Sequence, residues 1–529
     1  MSTFLVLVAA AIAFFLLRSW SKNRNLVFPP GPKPVPMLGN IFDVRAKELW
    51  LVAREWAQQF GDVTYLHIFG QGLVFLNTSK AAFDLMERKG SIYSDRPPLV
   101  MVTELCGCTD MVAFTRYGTG SRSQRKLMSK ALSANAVKTY QPLIQMDTHH
   151  FVSSLIQTPK DYQKHIRRYA GGLTLNTIYG YRITTNNDLF LELAEECVDL
   201  LANEIASTGS MWMVDLFPFL KHIPEFMPGA SFKRKAKVWK AKMEDFVEKP
   251  WDYFTTSLTN GTAPPSFCST LIDADSLRPT DRESKEMKSD LQQKIFDLKW
   301  TANSMYSGSI DTTVTSIMHF ILAMALHPEA QKMAQEEMDR VVLSEGRLPT
   351  FEDRERLPYL EALLWETLRW GCPVPLGLPH RLTEDDVYDG QFMAKGTLVF
   401  GNIWNILRDE SIYPSADSFN PSRFMPSSLA ALDESTRRKM DPRNYVFGFG
   451  RRVCPGSNLV DSSNWLMMAM MVATCQIGKP RDKEGRECEP KVEFNNSVFR
   501  TPDVFDCDIR PRSDKALHLL ARAELELGA

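Results

Sequence analysis

The sequence predicts a mainly α-helical protein with a small β-rich portion near its N-terminal side, preceded by one transmembrane helix. Three observations carry that reading. Phe4 to Leu17 is an unbroken apolar run. Val63 to Phe69 and Leu73 to Asn77 are β-rich runs split by Gly70-Gln71-Gly72, the pattern of a hairpin. From Ser79 almost to residue 412 helical patterns dominate, and strand-like pieces return only near Leu398 to Phe400 and in the C-terminal stretch.

Extended to Trp20, the first run reaches the ~17 residues that span a bilayer. Met1 to Thr3 carries no positive charge, whereas Arg18, Lys22, Arg24 and Lys33 all follow the run. That asymmetry favours a retained anchor with its C-terminal side in the cytoplasm over a cleaved signal peptide. The anchor is placed at residues 1–28. Pro29, Pro30, Gly31, Pro32, Pro34 and Pro36 then fix the backbone, so residues 29–40 are expected to form a stiff, extended hinge. Residues 41–529 follow.

Within them, Leu49 to Phe60 is a helix candidate, and Ser79 caps a helix that stops at Gly90. The longest pattern runs from about Asp290 to Leu326, well beyond the usual 8–20 residues of a globular helix. Such a helix crosses the whole molecule. Its middle is locally inconsistent: Gly308 costs about 1 kcal/mol against alanine, and Ser309, Thr312 and Thr313 add hydroxyls that bond back to the backbone. A functional site produces that signature, and so does a helix crossing that needs a small residue.

With 44% hydrophobic and 11% aromatic residues over 529 positions, the chain can bury a large core, as one big domain or two smaller ones. Its 62 basic and 63 acidic residues give a net charge of -1, which offers no field for nucleic acid and favours a small neutral substrate. Nine cysteines with no C-x-x-C pair indicate a reducing compartment. Cys106 and Cys108, without nearby histidines, read as loop thiols.

Phe447, Gly448, Phe449, Gly450, Arg451, Arg452, Val453, Cys454, Pro455 and Gly456 precede an apolar helix candidate, Leu459 to Ile477. Cys454 therefore lies at a helix N-terminus beside guanidinium groups, and both stabilise a thiolate. A lone cysteine in a glycine-rich loop is usually structural. The spacing Phe-x-x-Gly-x-Arg-x-Cys-x-Gly, matched by Phe447, Gly450, Arg452, Cys454 and Gly456, is specific, and here the chain resembles the cytochrome P-450 family.

The resemblance implies the cytochrome P-450 fold, with one catalytic domain after the anchor and a haem b cofactor (iron protoporphyrin IX) whose iron takes Cys454 as axial thiolate. Arg452 would pair with a haem propionate, and Phe447, Gly448 and Gly456 would also bind the cofactor. Glu366 and Arg369 match the family's Glu-x-x-Arg on one helical face, and Phe419, Pro421, Arg423 and Phe424 resemble the segment that supplies a second arginine. Their implied role is structural. Ser307 to Thr313 is similar to the oxygen-activation motif (Ala/Gly)-Gly-x-(Asp/Glu)-Thr-(Thr/Ser), with Ser309 where glycine is usual. The resemblance assigns proton delivery to Asp311 and Thr312 and close approach of dioxygen to Gly308. Arg96, Arg125 and His380 stand where relatives ground propionates, and Ser121 stands where most carry a tryptophan that reaches one.

The loop Pro97 to Arg116, Ser304, Gly308, Val374 to Leu378 and Val498-Phe499 are the implied substrate positions. They are mainly apolar, which favours a lipophilic small molecule such as a terpenoid, with an aromatic or alkaloid compound next. No dinucleotide fingerprint, P-loop or flavin motif is present, so the implied electron donor is NADPH–cytochrome P-450 reductase. The anchor, hinge and motifs look most like fungal microsomal members of secondary metabolism, located in the endoplasmic reticulum membrane with the catalytic domain facing the cytoplasm. Between Phe217 and Lys242 apolar residues adjoin a lysine- and arginine-rich cluster, which suits a second membrane contact or a solvated helix. Two other readings stay open: a haem-thiolate isomerase or dehydratase without external electrons, and a non-catalytic haem-binding protein.

Overall fold

The computed structural model describes residues 26–45, 47–206, 211–274, 285–495 and 498–528. The expected anchor, through residue 25, lies outside the described residues. Among them helices dominate, as the periodicity predicts. The eleven longest are α1 (Leu49–Phe60), α2 (Thr119–Leu132), α3 (Gln141–Gln157), α4 (Tyr162–Tyr179), α5 (Leu189–Asp199), α6 (Ser231–Thr259), α7 (Lys285–Leu326), α8 (Pro328–Val341), α9 (Pro358–Gly371), α10 (Ser457–Thr474) and α11 (Asp514–Gly528).

The main sheet has the order β1-β2-β6-β3, from β1 (Val63–Ile68), β2 (Gln71–Leu76), β3 (His380–Arg381) and β6 (Leu398–Gly401). β1 and β2 pair antiparallel with Val63 opposite Leu76 and Ile68 opposite Gln71. Their turn is Phe69-Gly70, both at positive φ (46° and 85°), the tight turn whose twist suits a hairpin. Gln71 and Gly72, read from sequence as part of the turn, thus belong to β2. β6 runs parallel to β2 and antiparallel to β3. β3 and the side hairpin of β4 (Asp386–Tyr388) and β5 (Gln391–Met393) fall inside a stretch read as helical. Two or three residues are too few to show a two-residue period.

Other boundaries also moved. Thr78, not Ser79, caps the helix after β2, its Oγ1 accepting the Ala81 N–H. Gly90 starts a further turn, Gly90–Tyr93, that leads into Arg96. The apolar stretch after Cys454 is helical only to Thr474; Cys475–Gly478 becomes β7, paired with β10 (Asp508–Pro511). Tertiary pairing there overrides helical propensity. A third small sheet joins β8 (Phe494–Asn495) to β9 (Thr501–Pro502).

α7 has 42 residues, about 63 Å at 1.5 Å each, and packs against α4, α2, α9 and α10. It is also the one described helix apolar enough to cross a membrane, but 78% of its apolar window is buried inside the protein. It is the core helix. A second apolar cluster gathers around the sheet, from Trp50, Phe75 and Phe400 to Tyr445 and Phe449.

The chain enters the domain along β1. Phe28 packs on Tyr65 and Phe392 with ring centroids 5.1 and 5.6 Å apart, and the Tyr65 N–H donates to Pro30 O at 2.9 Å. At the far end of β1, Phe69 meets Phe217 at 5.5 Å, which meets Phe219 at 6.1 Å. Phe219 and Phe226 are 67% and 86% exposed. All nine cysteines are free, and Cys106 and Cys108 are buried.

Candidate active site

The loop around Cys454 is built from its glycines. Gly450 has φ +55°, and a Cβ there would lie 2.1 Å from Met86 O, so the loop reaches its position only with glycine. The Cys454 N–H donates to Phe447 O at 2.7 Å, closing the loop. The sulfur lines a cavity of about 430 Å³ that Phe447, Gly448 and Gly456 also line. Burial pushes the thiol up, while the N–H groups of Gly456 and Ser457 and the charge of Arg125 oppose that shift. The thiolate-favouring groups expected from sequence are present, but burial outweighs them. A cation held at the sulfur would reverse that balance.

Arg96, Arg125, His380 and Arg452 line the same cavity. Arg452 donates to Ser94 O and Thr115 O, both at 2.8 Å. Arg125 donates to Val453 O at 2.7 Å, and Arg96 to Leu378 O and Pro379 O at 2.8 Å. Burial, then the charges of Arg452 and Arg125, push Arg96 down to about 9. Burial, then Arg125, push Arg452 down to about 10. The nearby carboxylate, Asp95, is engaged by Arg116, Arg381 and the Tyr117 N–H. Arg96 Nε is buried with no partner. Three cations around one cavity, with an unused donor among them, suit a ligand carrying more than one negative charge. His380 Nδ1 donates to Tyr93 O at 2.7 Å, and burial, then Arg96, hold the ring well below its ordinary range.

The middle of α7 supplies another part of the lining. Ser304, Gly308, Ser309 and Thr312 line the cavity. A Cβ at Gly308 would meet nothing within 4 Å, so this stretch faces open space. Thr312 Oγ1 donates to Gly308 O at 2.9 Å, and Ser309 Oγ to Tyr306 O at 2.9 Å. The extra hydroxyl at 309 is thus turned back onto its own helix. Ser304 Oγ accepts the Val112 N–H at 3.0 Å, tying α7 to the loop that covers the cavity.

Asp311 does not join Thr312 on this wall. It lines a second cavity, about 400 Å³, with Gln163, Arg167, Glu195, Asp199 and Thr501. Burial, against the pull of Arg167, raises its carboxyl to about 6. Phe499 lines both cavities and forms a partition between them.

Val374 and Val498 also line the cavity. Missed from sequence were Leu173 and Thr177 of α4, Val198 of α5, and Leu201 and Ile205 just beyond it, all of which line the cavity. Asp215 was missed too; it lines the cavity and accepts the Met101 N–H at 2.8 Å. A lone carboxyl in the apolar stretch from Met211 to Leu216 was the available signal. Ser121 does not line the cavity: its Oγ accepts the Gly118 N–H at 3.1 Å, at the start of α2.

Glu366 and Arg369, on α9, are fully buried and form a two-pronged pair at 2.6 and 2.8 Å. Arg423 approaches Glu366 at 3.3 Å. Arg369 also donates to the carbonyls of Leu407, Ala416 and Ser418, binding α9 to the segment before the cysteine loop.

The cytochrome P450 family model matches residues 29–503. The chain is 38% identical over 513 residues to cytochrome P450 monooxygenase claT of Ampulloclitocybe clavipes, covering 97% of each. It is 36% identical to cytochrome P450 monooxygenase 208 of Postia placenta, over 96% of this chain and 94% of that one. It is 35% identical to cytochrome P450 monooxygenase COX2 of Coprinopsis cinerea, over 96% and 93%.

Proposed function

Because the chain belongs to the cytochrome P450 family and is an oxidoreductase of the monooxygenase type, we propose that it inserts one atom of dioxygen into a C–H bond of a lipophilic, terpenoid-type metabolite. The single observation that carries this is the sharing of one largely apolar cavity by Cys454, the three arginines and Gly308, Ser309 and Thr312 of α7.

The family's cofactor is a haem held by a thiolate, and the residues present fit it. Cys454 offers the sulfur, and Arg96, Arg125 and Arg452 offer cations, one with an unused donor, for the two propionates of haem b. When bound, haem supplies the dioxygen activation and C–H oxidation that no side chain can perform. This chain's own residues do the rest. The apolar walls desolvate and orient the substrate. Thr312 holds a hydroxyl at the cavity wall, and Asp311, raised to about 6, stores an exchangeable proton behind it. Thr312 on the wall favours this reading over an isomerase or dehydratase that needs no proton delivery.

Electrons would come from NADPH–cytochrome P-450 reductase. The exposed Phe219 and Phe226, beside Lys221 and the basic stretch from Lys233 to Lys242, support a domain resting on the endoplasmic reticulum membrane. The deciding experiment is a reduced carbon monoxide difference spectrum, followed by terpenoid turnover with reductase and NADPH. A red-shifted band and a product heavier by one oxygen are expected; an unshifted band overturns the reading.

A further inference from the structure

Two loop segments that line the apolar cavity, at Val374 and at Val498-Phe499, have little structure of their own. Val374 follows α9 after Cys372, which sits at φ +45°. Val498 and Phe499 lie between β8 and β9, strands of two residues each. Both segments are held by Arg500. Its backbone N–H donates to Pro373 O at 2.9 Å. Its Nη1 donates to Gly371 O at 3.1 Å and to His319 Nε2 at 2.8 Å. The guanidinium lies 3.7 Å over the Phe494 ring and 4.7 Å over the Trp404 ring, and His319 is itself stacked with Phe494.

The tautomer of His319 follows from its other bond. Nδ1 contacts Thr315 O at 2.8 Å; a carbonyl only accepts, so Nδ1 carries the proton and Nε2 offers a lone pair to Arg500. Burial, with the charge of Arg500 next, keeps the ring neutral. Burial lowers the Arg500 guanidinium, and Cys372 and the charge of Glu48 only partly offset that. A cation enclosed this way costs stability compared with an apolar residue. What it gains is direction, because a planar group with fixed donors and two π contacts has one orientation.

We infer that Arg500, anchored by His319 on α7, is a positioning residue that sets the distance between the Val374 wall and the Val498-Phe499 wall, and so selects the length of the apolar ligand. The same clamp holds Phe499 as the partition between the two cavities. This rests on reading the larger cavity as the substrate pocket of a haem enzyme.

The test uses the full-length holoenzyme and two nitrogen ligands followed by Soret titration: imidazole, which needs only the iron, and ketoconazole, whose long body must pass the distal wall. Arg500→Met is expected to keep the carbon monoxide band, to weaken ketoconazole by about tenfold or more, as the loss of one well-packed anchor does, and to leave imidazole within about twofold. His319→Gln supplies a replacement acceptor and keeps ketoconazole affinity, whereas His319→Leu reproduces the Arg500→Met defect. Unchanged ketoconazole binding, or parallel weakening of both ligands, overturns the inference. Should Arg500→Met fail to take up haem, the two His319 variants decide it. Wild-type protein with no Soret shift for either ligand would instead refute the haem-enzyme reading itself.

Discussion

Asp311 and Thr312 are consecutive in the chain yet open onto different cavities, the carboxyl onto a polar chamber and the hydroxyl onto the apolar one. Successive helical residues point about 100° apart, so α7, together with Phe499, separates them. A proton stored on Asp311 has to cross that wall, past Thr312 or the edge of Phe499.

Thr312→Ala should therefore retain the carbon monoxide band while consuming NADPH with little product. NADPH consumption measured beside product and peroxide formation checks this. Full coupling in the variant would remove the threonine from proton handling.

The raised carboxyl of Asp311 gives its variant a pH signature. The protonated donor form dominates below about pH 6, so coupled turnover should fall as pH rises through that value, and Asp311→Asn should lose this limb. Stability follows the same group. Its folded pKa of about 6 exceeds the unfolded value of about 3.9, so the folded state binds more protons between the two and loses stability as pH rises from about 4 to 6. Asp311→Asn should flatten that slope in urea unfolding.

Glu366→Gln leaves Arg369 and Arg423 buried without their shared counter-charge. Breaking such a pair costs about 3–5 kcal/mol, and the expected outcome is a sharp loss of soluble, haem-loaded protein. A variant with wild-type yield and melting temperature would contradict the structural role.

Arg96→Gln should retain thiolate ligation but release haem faster. Charge-assisted hydrogen bonds contribute about 1.5–3 kcal/mol, so transfer of haem to apomyoglobin should accelerate roughly tenfold to a hundredfold. Cys454→Ala, in contrast, should abolish the red-shifted band altogether.

The cysteine loop, the α7 motif and the Glu366 to Arg369 pair were legible in the sequence because their chemistry demands particular residue types at fixed local spacing. The side walls were not. Leu173 and Thr177 lie on a helical face indistinguishable by pattern from one that meets other core helices, and only the third dimension shows that it meets a cavity. Asp311 was singled out by its place in the α7 motif, but adjacency in sequence hid which chamber it faces. His319 and Arg500 stand 181 residues apart, and no periodicity connects them. β3 to β5 were missed because strands this short are made by their partners.

One consequence concerns where the chain enters. Tyr65, which holds Phe28, and Phe69, just past the end of β1 and touching Phe217, are four residues apart, about 13 Å at 3.3 Å each. A bilayer gripping the preceding residues would thus meet the Phe219 surface as a tethered neighbour. Tethering raises effective concentration to the millimolar range for short linkers, so that surface can be weak on its own and still stay seated. The tether would supply the residence time, and the aromatic patch would set only the tilt.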